Sequence, residues 1–180
     1  MNFLAMPIIG AFLVEMAPIE DERGWFARTW CAEEFAAQGL ASQLAQCSVS
    51  FNRRKGTLRG MHFQASPHCE AKLVRCSQGS LFDVLIDLRP DSKTYRKWIS
   101  VNLSAADNQM VYVPGGLAHG YQTLEDSTEV VYQISASYHA DSARGVRWDD
   151  PVFGINWPLE FPVLSQRDTT YPDFKEPIAR

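Results

Sequence analysis

At 180 residues, 46% apolar and 21% charged, the chain has the size and make-up of one globular domain spanning residues 1–180. A formal net charge of −4 argues against non-specific nucleic-acid binding, which runs on an excess of Lys and Arg; an anionic ligand held by local basic residues stays open. No run approaches the roughly 18 apolar residues of a membrane span. Met1–Gly10 lacks the basic start of a secretory signal. The four cysteines, Cys31, Cys47, Cys69 and Cys76, form no Cys-x-x-Cys pair and read as reduced thiols, so a cytoplasmic location is expected.

Taken in chain order, the first clear element is a short helix from Ala32 to Gln38, closed by Gly39. Short strands follow, broken by turn residues: Lys72–Cys76, Ser80–Leu88, Trp98–Leu103, Met110–Val113 and Thr128–Ser135. Such spacing predicts an all-β sandwich or barrel. Alternation sorts the faces. Phe82, Val84, Ile86 and Leu88 form a wholly apolar set, and Val130, Tyr132 and Ile134 share one face, which predicts an inward Tyr132. Lys72 shares a face with Val74 and Cys76, and an inward Lys needs a partner or a task. Beyond Val146 the chain turns Pro-rich and aromatic, with Trp148, Pro151, Trp157, Pro158, Phe161 and Pro162, and reads as a tail packed on the barrel.

Two segments resemble the halves of a cupin barrel: Gly56 through His62 and Glu70 to Gly79, and Pro114-Gly115-Gly116-Leu117-Ala118-His119. Metal-binding cupins usually carry a second His two residues after the first, where this chain has Gln64. His62 and His119 with a doubtful Glu70 fall short of the three or four well-supported ligands a metal needs, so no metal is expected. In Arg59-Gly60-Met61-His62, strict alternation would put Arg59 and His62 on opposite faces. Gly60 is positioned to break it with a bulge, so that both reach one cavity. An interior lined by His, Lys, Arg and Tyr suits an anionic or enolate-forming ligand.

Seven segments in register carry a more specific likeness. Gly56-Thr57-Leu58-Arg59-Gly60-Met61-His62-Phe63-Gln64, Lys72-Leu73-Val74-Arg75-Cys76, Asp83 to Arg89, Pro114 to Gly120, Trp148-Asp149-Asp150-Pro151, Trp157-Pro158 and Ser165-Gln166-Arg167-Asp168 resemble the dTDP-4-dehydrorhamnose 3,5-epimerase family. The resemblance implies a cupin-type double-stranded β-helix (a jelly-roll barrel) with short peripheral helices, usually a homodimer, acting on a nucleotide-linked sugar without metal or other cofactor. It implies that His62 removes a proton beside the ketone, paired with Asp168. It further implies that Lys72 stabilises the enolate oxygen and Tyr132 returns a proton from the opposite face. Arg23, Gln46, Arg59 and His119 match substrate contacts, Tyr138 matches a residue that stacks on the base, and Arg167 belongs to the last of the seven motifs.

The departures gather on the nucleotide side. The family often has Glu where this chain has Arg28, Gln-Asp-Asn where it has Gln46-Cys47-Ser48, and Glu where it has Ala143. The proton chemistry is therefore expected to be retained and thymine recognition altered. Two alternatives remain at this level. A ketoisomerase would share the enolisation, although Tyr132 favours epimerisation. A non-catalytic sugar-nucleotide-binding cupin would have no use for the full set of His62, Lys72, Tyr132 and Asp168.

Overall fold

The computed structural model describes residues 1–175. Its strands are β1 (Asn2–Ala5), β2 (Phe12–Glu15), β3 (Ile19–Asp21), β4 (Gly24–Phe26), β5 (Gln46–Asn52), β6 (Leu58–Gln64), β7 (Lys72–Gln78), β8 (Ser80–Asp87), β9 (Trp98–Ser104), β10 (Gln109–Val113), β11 (Leu117–Thr123), β12 (Thr128–Ile134) and β13 (Ala143–Gly145). Helix α1 covers Ala32–Ala37 and α2 covers Gln166–Thr169. One sheet has the order β1-β2-β10-β7-β12-β5, the other β13-β6-β11-β8-β9, and β3-β4 forms a separate hairpin. The named strand pairs are all antiparallel. The result is the expected jelly-roll barrel.

The barrel core lies between the two sheets. Val74 and Cys76 of β7, Val111 and Val113 of β10 and Val130 of β12 meet Leu81 and Leu85 of β8, Leu103 of β9 and Leu117 of β11. Each such side chain contributes roughly 1.5–3 kcal/mol on burial. Strand β8 is covered on both faces. Its uniformly apolar set, Phe82, Val84, Ile86 and the following Leu88, points outward under the tail, against Val146, Phe153, Ile155 and Trp157. The inward set therefore carries two carboxylates, Asp83 and Asp87, between Leu81 and Leu85 and beyond, and both carboxylates are fully buried.

On the outside of the six-stranded sheet, α1 buries Phe35 among Phe3, Trp30 and Tyr112. This helix ends one residue earlier than expected, and Gly39 follows in the left-handed region at φ +69° with its N–H donating to Ala36. At Gly60 the backbone has φ +150°, and a Cβ there would lie 2.6 Å from Gly120 Cα. Pairing of β6 with β11 is irregular at this point, slipping between His119 and Tyr121. The predicted break in alternation is thus present, and Arg59 and His62 line one cavity. Among the described residues, no helix is long and apolar enough to cross a membrane.

Candidate active site

Two adjoining cavities of about 320 and 200 Å³ open at one end of the barrel and share His62, Lys72, Ile134 and Arg167. Their walls come from different sheets. Arg59 and His62 on β6 and His119 on β11 belong to the five-stranded sheet; Lys72 on β7, Tyr132 on β12 and Ser48 and Ser50 on β5 belong to the six-stranded one.

His62 Nε2 lies 2.6 Å from Asp168 Oδ1. Asp168 sits on α2, where Ser165 caps the turn by accepting from the Asp168 N–H at 3.2 Å. Burial alone would push the Asp168 carboxyl up, but the hydrogen bond and charge of His62 overcome it and hold it below the ordinary carboxylate value. The carboxylate accepts from Nε2–H, which leaves the lone pair on Nδ1 and favours the imidazolium once a proton is taken. His62 remains reachable, with 39% of its side chain exposed against 5% for Asp168.

His119 is the Cα partner of His62 across β6 and β11 and has its own carboxylate, Asp83 Oδ2, at 2.8 Å. The Asp83–His119 pair is buried, and Asp83 Oδ1 has no hydrogen-bond partner among the described residues. The ring of Tyr132 meets His119 edge to face at 6.1 Å. Burial raises the Tyr132 phenol well above its usual value, and Tyr121 and Asp83 push the same way while Arg59 opposes. A phenol so placed stays protonated and can serve as a proton donor.

Lys72 Nζ makes an ion pair with Glu70 Oε1 at 3.0 Å and donates to the His62 carbonyl at 3.2 Å. The second Glu70 oxygen accepts from the Gln64 N–H at 3.1 Å. Gln64 is a latch: its Nε2 donates to the carbonyls of His68 and Ser137 at 3.0 and 3.1 Å, and its Oε1 accepts from the His139 N–H at 2.6 Å. The would-be cupin ligands are therefore each engaged elsewhere. Among the described residues, no group of three His, Cys, Asp or Glu is arranged to hold a metal ion.

The smaller cavity gathers Gln46, Tyr138, Ala143 and Arg167. Gln46 Oε1 accepts from the Tyr138 N–H at 2.5 Å, and the Arg167 guanidinium lies 5.8 Å from the Tyr171 ring centroid. Arg59 is steadied by Asn52, whose Oδ1 accepts from Nε at 2.8 Å.

Arg23 and Arg28 are not brought to either cavity. Arg23 occupies the turn of the β3-β4 hairpin, its side chain 84% exposed and paired with Asp21. Arg28 pairs with Glu34 at 2.9 Å and lines a separate hollow with Met1, Ile19 and Phe26. Three residues escaped the sequence reading in their present roles: Asp83 behind His119, Glu70 as the partner of Lys72, and Gln64 as a backbone latch. Only Asp83 left a signal, as a carboxylate in phase with Leu81 and Leu85.

The profile of dTDP-4-dehydrorhamnose 3,5-epimerase matches residues 5–176. The chain belongs to this family. It is thereby an isomerase of the epimerase type. The dTDP-4-dehydrorhamnose 3,5-epimerase of Sinorhizobium fredii is 40% identical over 98% of this chain and 91% of its own. A Bacillus anthracis epimerase with TDP and pyrophosphate bound superposes with a TM-score of 0.93 at 35% identity, covering 96% of this chain and 99% of that one. ChmJ, a 3'-monoepimerase from Streptomyces bikiniensis in complex with dTDP-quinovose, gives 0.86 at 33% identity, with 93% and 85% covered.

Proposed function

We propose that this epimerase inverts C3, C5 or both in a nucleotide-linked 4-keto-6-deoxyhexose, in deoxysugar or surface-polysaccharide synthesis. His62 takes the proton beside the ketone, and Asp168 steadies the resulting imidazolium. Lys72 carries the enolate oxygen, assisted by Arg59 and His119, and Tyr132 delivers a proton from the other side. The supporting observation is that His62 and Tyr132 face one cavity from opposite sheets, with Lys72 beside them. A proton beside a ketone is a weak acid, and one oriented cation or donor at the developing oxyanion contributes roughly 3–4 kcal/mol. Gln46, Tyr138 and Arg167 hold the nucleotide in the smaller cavity.

The same reading takes the chain as one cupin-type domain that works in the cytoplasm as a homodimer. The β3-β4 hairpin supports the dimer: Ile19 and Phe26 are 73% and 74% exposed beside Arg23. A second copy would cover that apolar surface and give Arg23 a site to reach.

The test is deuterium exchange in D2O with a nucleotide-linked 4-keto-6-deoxyhexose. His62→Ala should abolish wash-in while nucleotide-sugar binding persists. Tyr132→Phe should keep wash-in with retention but lose inversion. Wash-in near the wild-type rate in His62→Ala removes His62 as the base.

A further inference from the structure

We propose that Glu70 is a positioning residue for the enolisation: its carboxylate holds the Lys72 ammonium so that one N–H is left for the ketone oxygen of the sugar. The inference rests on the role given above to Lys72.

Glu70 lies in the loop before β7, only 8% exposed, and lines the smaller cavity. Its two oxygens reach two different sheets. Oε1 pairs with Lys72 Nζ at 3.0 Å, at the start of β7 in the six-stranded sheet. Oε2 accepts from the Gln64 N–H at 3.1 Å, at the end of β6 in the five-stranded one. The loop that carries Glu70 is fixed as well. Ala71, between Glu70 and Lys72, donates its N–H to Ser135 Oγ at 2.8 Å and accepts from the Ser135 N–H at 3.0 Å. The carboxylate is thus a bridge from one sheet to the other, held at both ends.

An ammonium has three N–H donors on a flexible four-carbon stem. Lys72 spends one on Glu70 and a second on the His62 carbonyl at 3.2 Å. The third is the one left for a ligand, and Lys72 lines both cavities. The bond to the His62 carbonyl ties this cation to the residue that carries the proposed base. Glu70 therefore sets the spacing between the group that takes the proton and the group that meets the negative charge. When His62 removes the proton, the C–H electron pair moves to the ketone oxygen, and the third Lys72 N–H donates to that oxygen. An uncovered carboxylate this close would oppose the oxyanion. Both Glu70 oxygens are occupied, one by an ammonium and one by a backbone N–H, so the group orients Lys72 without presenting its own charge. The same device recurs at the two neighbouring imidazoles, where Asp168 meets His62 at 2.6 Å and Asp83 meets His119 at 2.8 Å.

The test is a double-mutant cycle on deuterium wash-in in D2O, at saturating nucleotide-linked 4-keto-6-deoxyhexose. Glu70→Gln keeps an acceptor but not the charge. It should lower the wash-in rate about thirtyfold while direct binding of the nucleotide sugar stays within about twofold. Lys72→Ala should lower wash-in about a hundredfold or more. Because Glu70 acts through Lys72, adding Glu70→Gln to Lys72→Ala should change the rate by less than about twofold. A purely structural role would lower the rate by the same factor in both backgrounds, and that result overturns the proposal, as does wild-type wash-in by Glu70→Gln. Should Glu70→Gln fail to fold, the cycle is run with Glu70→Asp, whose shorter carboxylate keeps the charge but cannot span both partners. That variant should lose about tenfold alone and less than about twofold beside Lys72→Ala. If Lys72→Ala itself washes in at the wild-type rate, the enolate assignment fails first, which separates that failure from a failure of the positioning role.

Discussion

The imidazole of His62 and the carboxylate of Asp168 meet at 2.6 Å although 106 residues separate them in the chain. The one-turn helix α2 delivers Asp168 to the barrel mouth, and Ser165 caps that turn. Asp168→Asn keeps the shape but offers His62 a weaker and neutral partner. Enolisation should fall on the order of a hundredfold, about 2.7 kcal/mol, with little change in nucleotide-sugar affinity. Steady-state kinetics beside direct binding checks this, and a proportionate loss of affinity would contradict it.

Tyr171, two residues beyond α2, packs against Gly145 of β13. A Cβ on Gly145 would collide with the Tyr171 ring, and that ring in turn lies edge-on to His62 with centroids 6.1 Å apart. Gly145→Ala should push Tyr171 and the neighbouring α2 away from His62. Overpacking of this kind costs about 1–3 kcal/mol of stability, and misplacing Asp168 by about 1 Å should cost on the order of a hundredfold in rate. Unfolding curves and wash-in rates measured on one preparation test both effects. Wild-type activity in Gly145→Ala would show that α2 does not depend on this packing.

Activity should survive exhaustive chelation. His62 and His119 each face a carboxylate at 2.6 and 2.8 Å, and Glu70 is paired with Lys72. Elemental analysis finding stoichiometric iron, manganese or zinc, with activity lost on its removal, would sink this expectation.

Asp87 gives a pH-dependent stability prediction. Burial would raise its carboxyl, but bonds from Arg89, Ser92 and Thr94 outweigh that and bring it from 3.8 down to about 2. A depressed folded-state value stabilises the protein above the unfolded-state value, and that stability is lost as pH falls through the folded one. The contribution is about 2 kcal/mol at neutral pH. Asp87→Asn should therefore be less stable than wild type by at least about that much at pH 7, and the gap should narrow between roughly pH 4 and pH 2. Urea unfolding across this range decides it; a gap independent of pH would show that the charge contributes nothing.

Base choice should be looser than a Glu-bearing site would allow. Ala143 lines the smaller cavity without an acceptor for a base N–H, and the neighbouring Arg144 spends Nη1 on the carbonyls of Asp141 and Ala143. Matched 4-keto sugars carrying thymine, uracil, cytosine or guanine should differ in kcat/KM by less than about tenfold, or about 1.4 kcal/mol. A thymine preference of about a hundredfold would show that these positions do not set base choice.

What the sequence by itself determined was the alternation and the motifs. Period-two patterning marked β8, β9, β10 and β12 to within a residue or so at each end, placed Tyr132 inward and put Lys72 in phase with Val74 and Cys76. Gly60 announced the break that lets Arg59 and His62 share a cavity. Local patterning could not tell which face of β8 looks into the barrel, because both are covered: one by the opposite sheet, the other by the tail. Nor could it join Asp83 to His119 or Glu70 to Lys72, since these pairs arise from strand register and from the loop before β7. The reach of Arg23 is the clearest case. Its residue type fits an anionic ligand, but only the tertiary structure sets it on an exposed hairpin away from the cavity, because the hairpin pairs with itself and leaves both sheets.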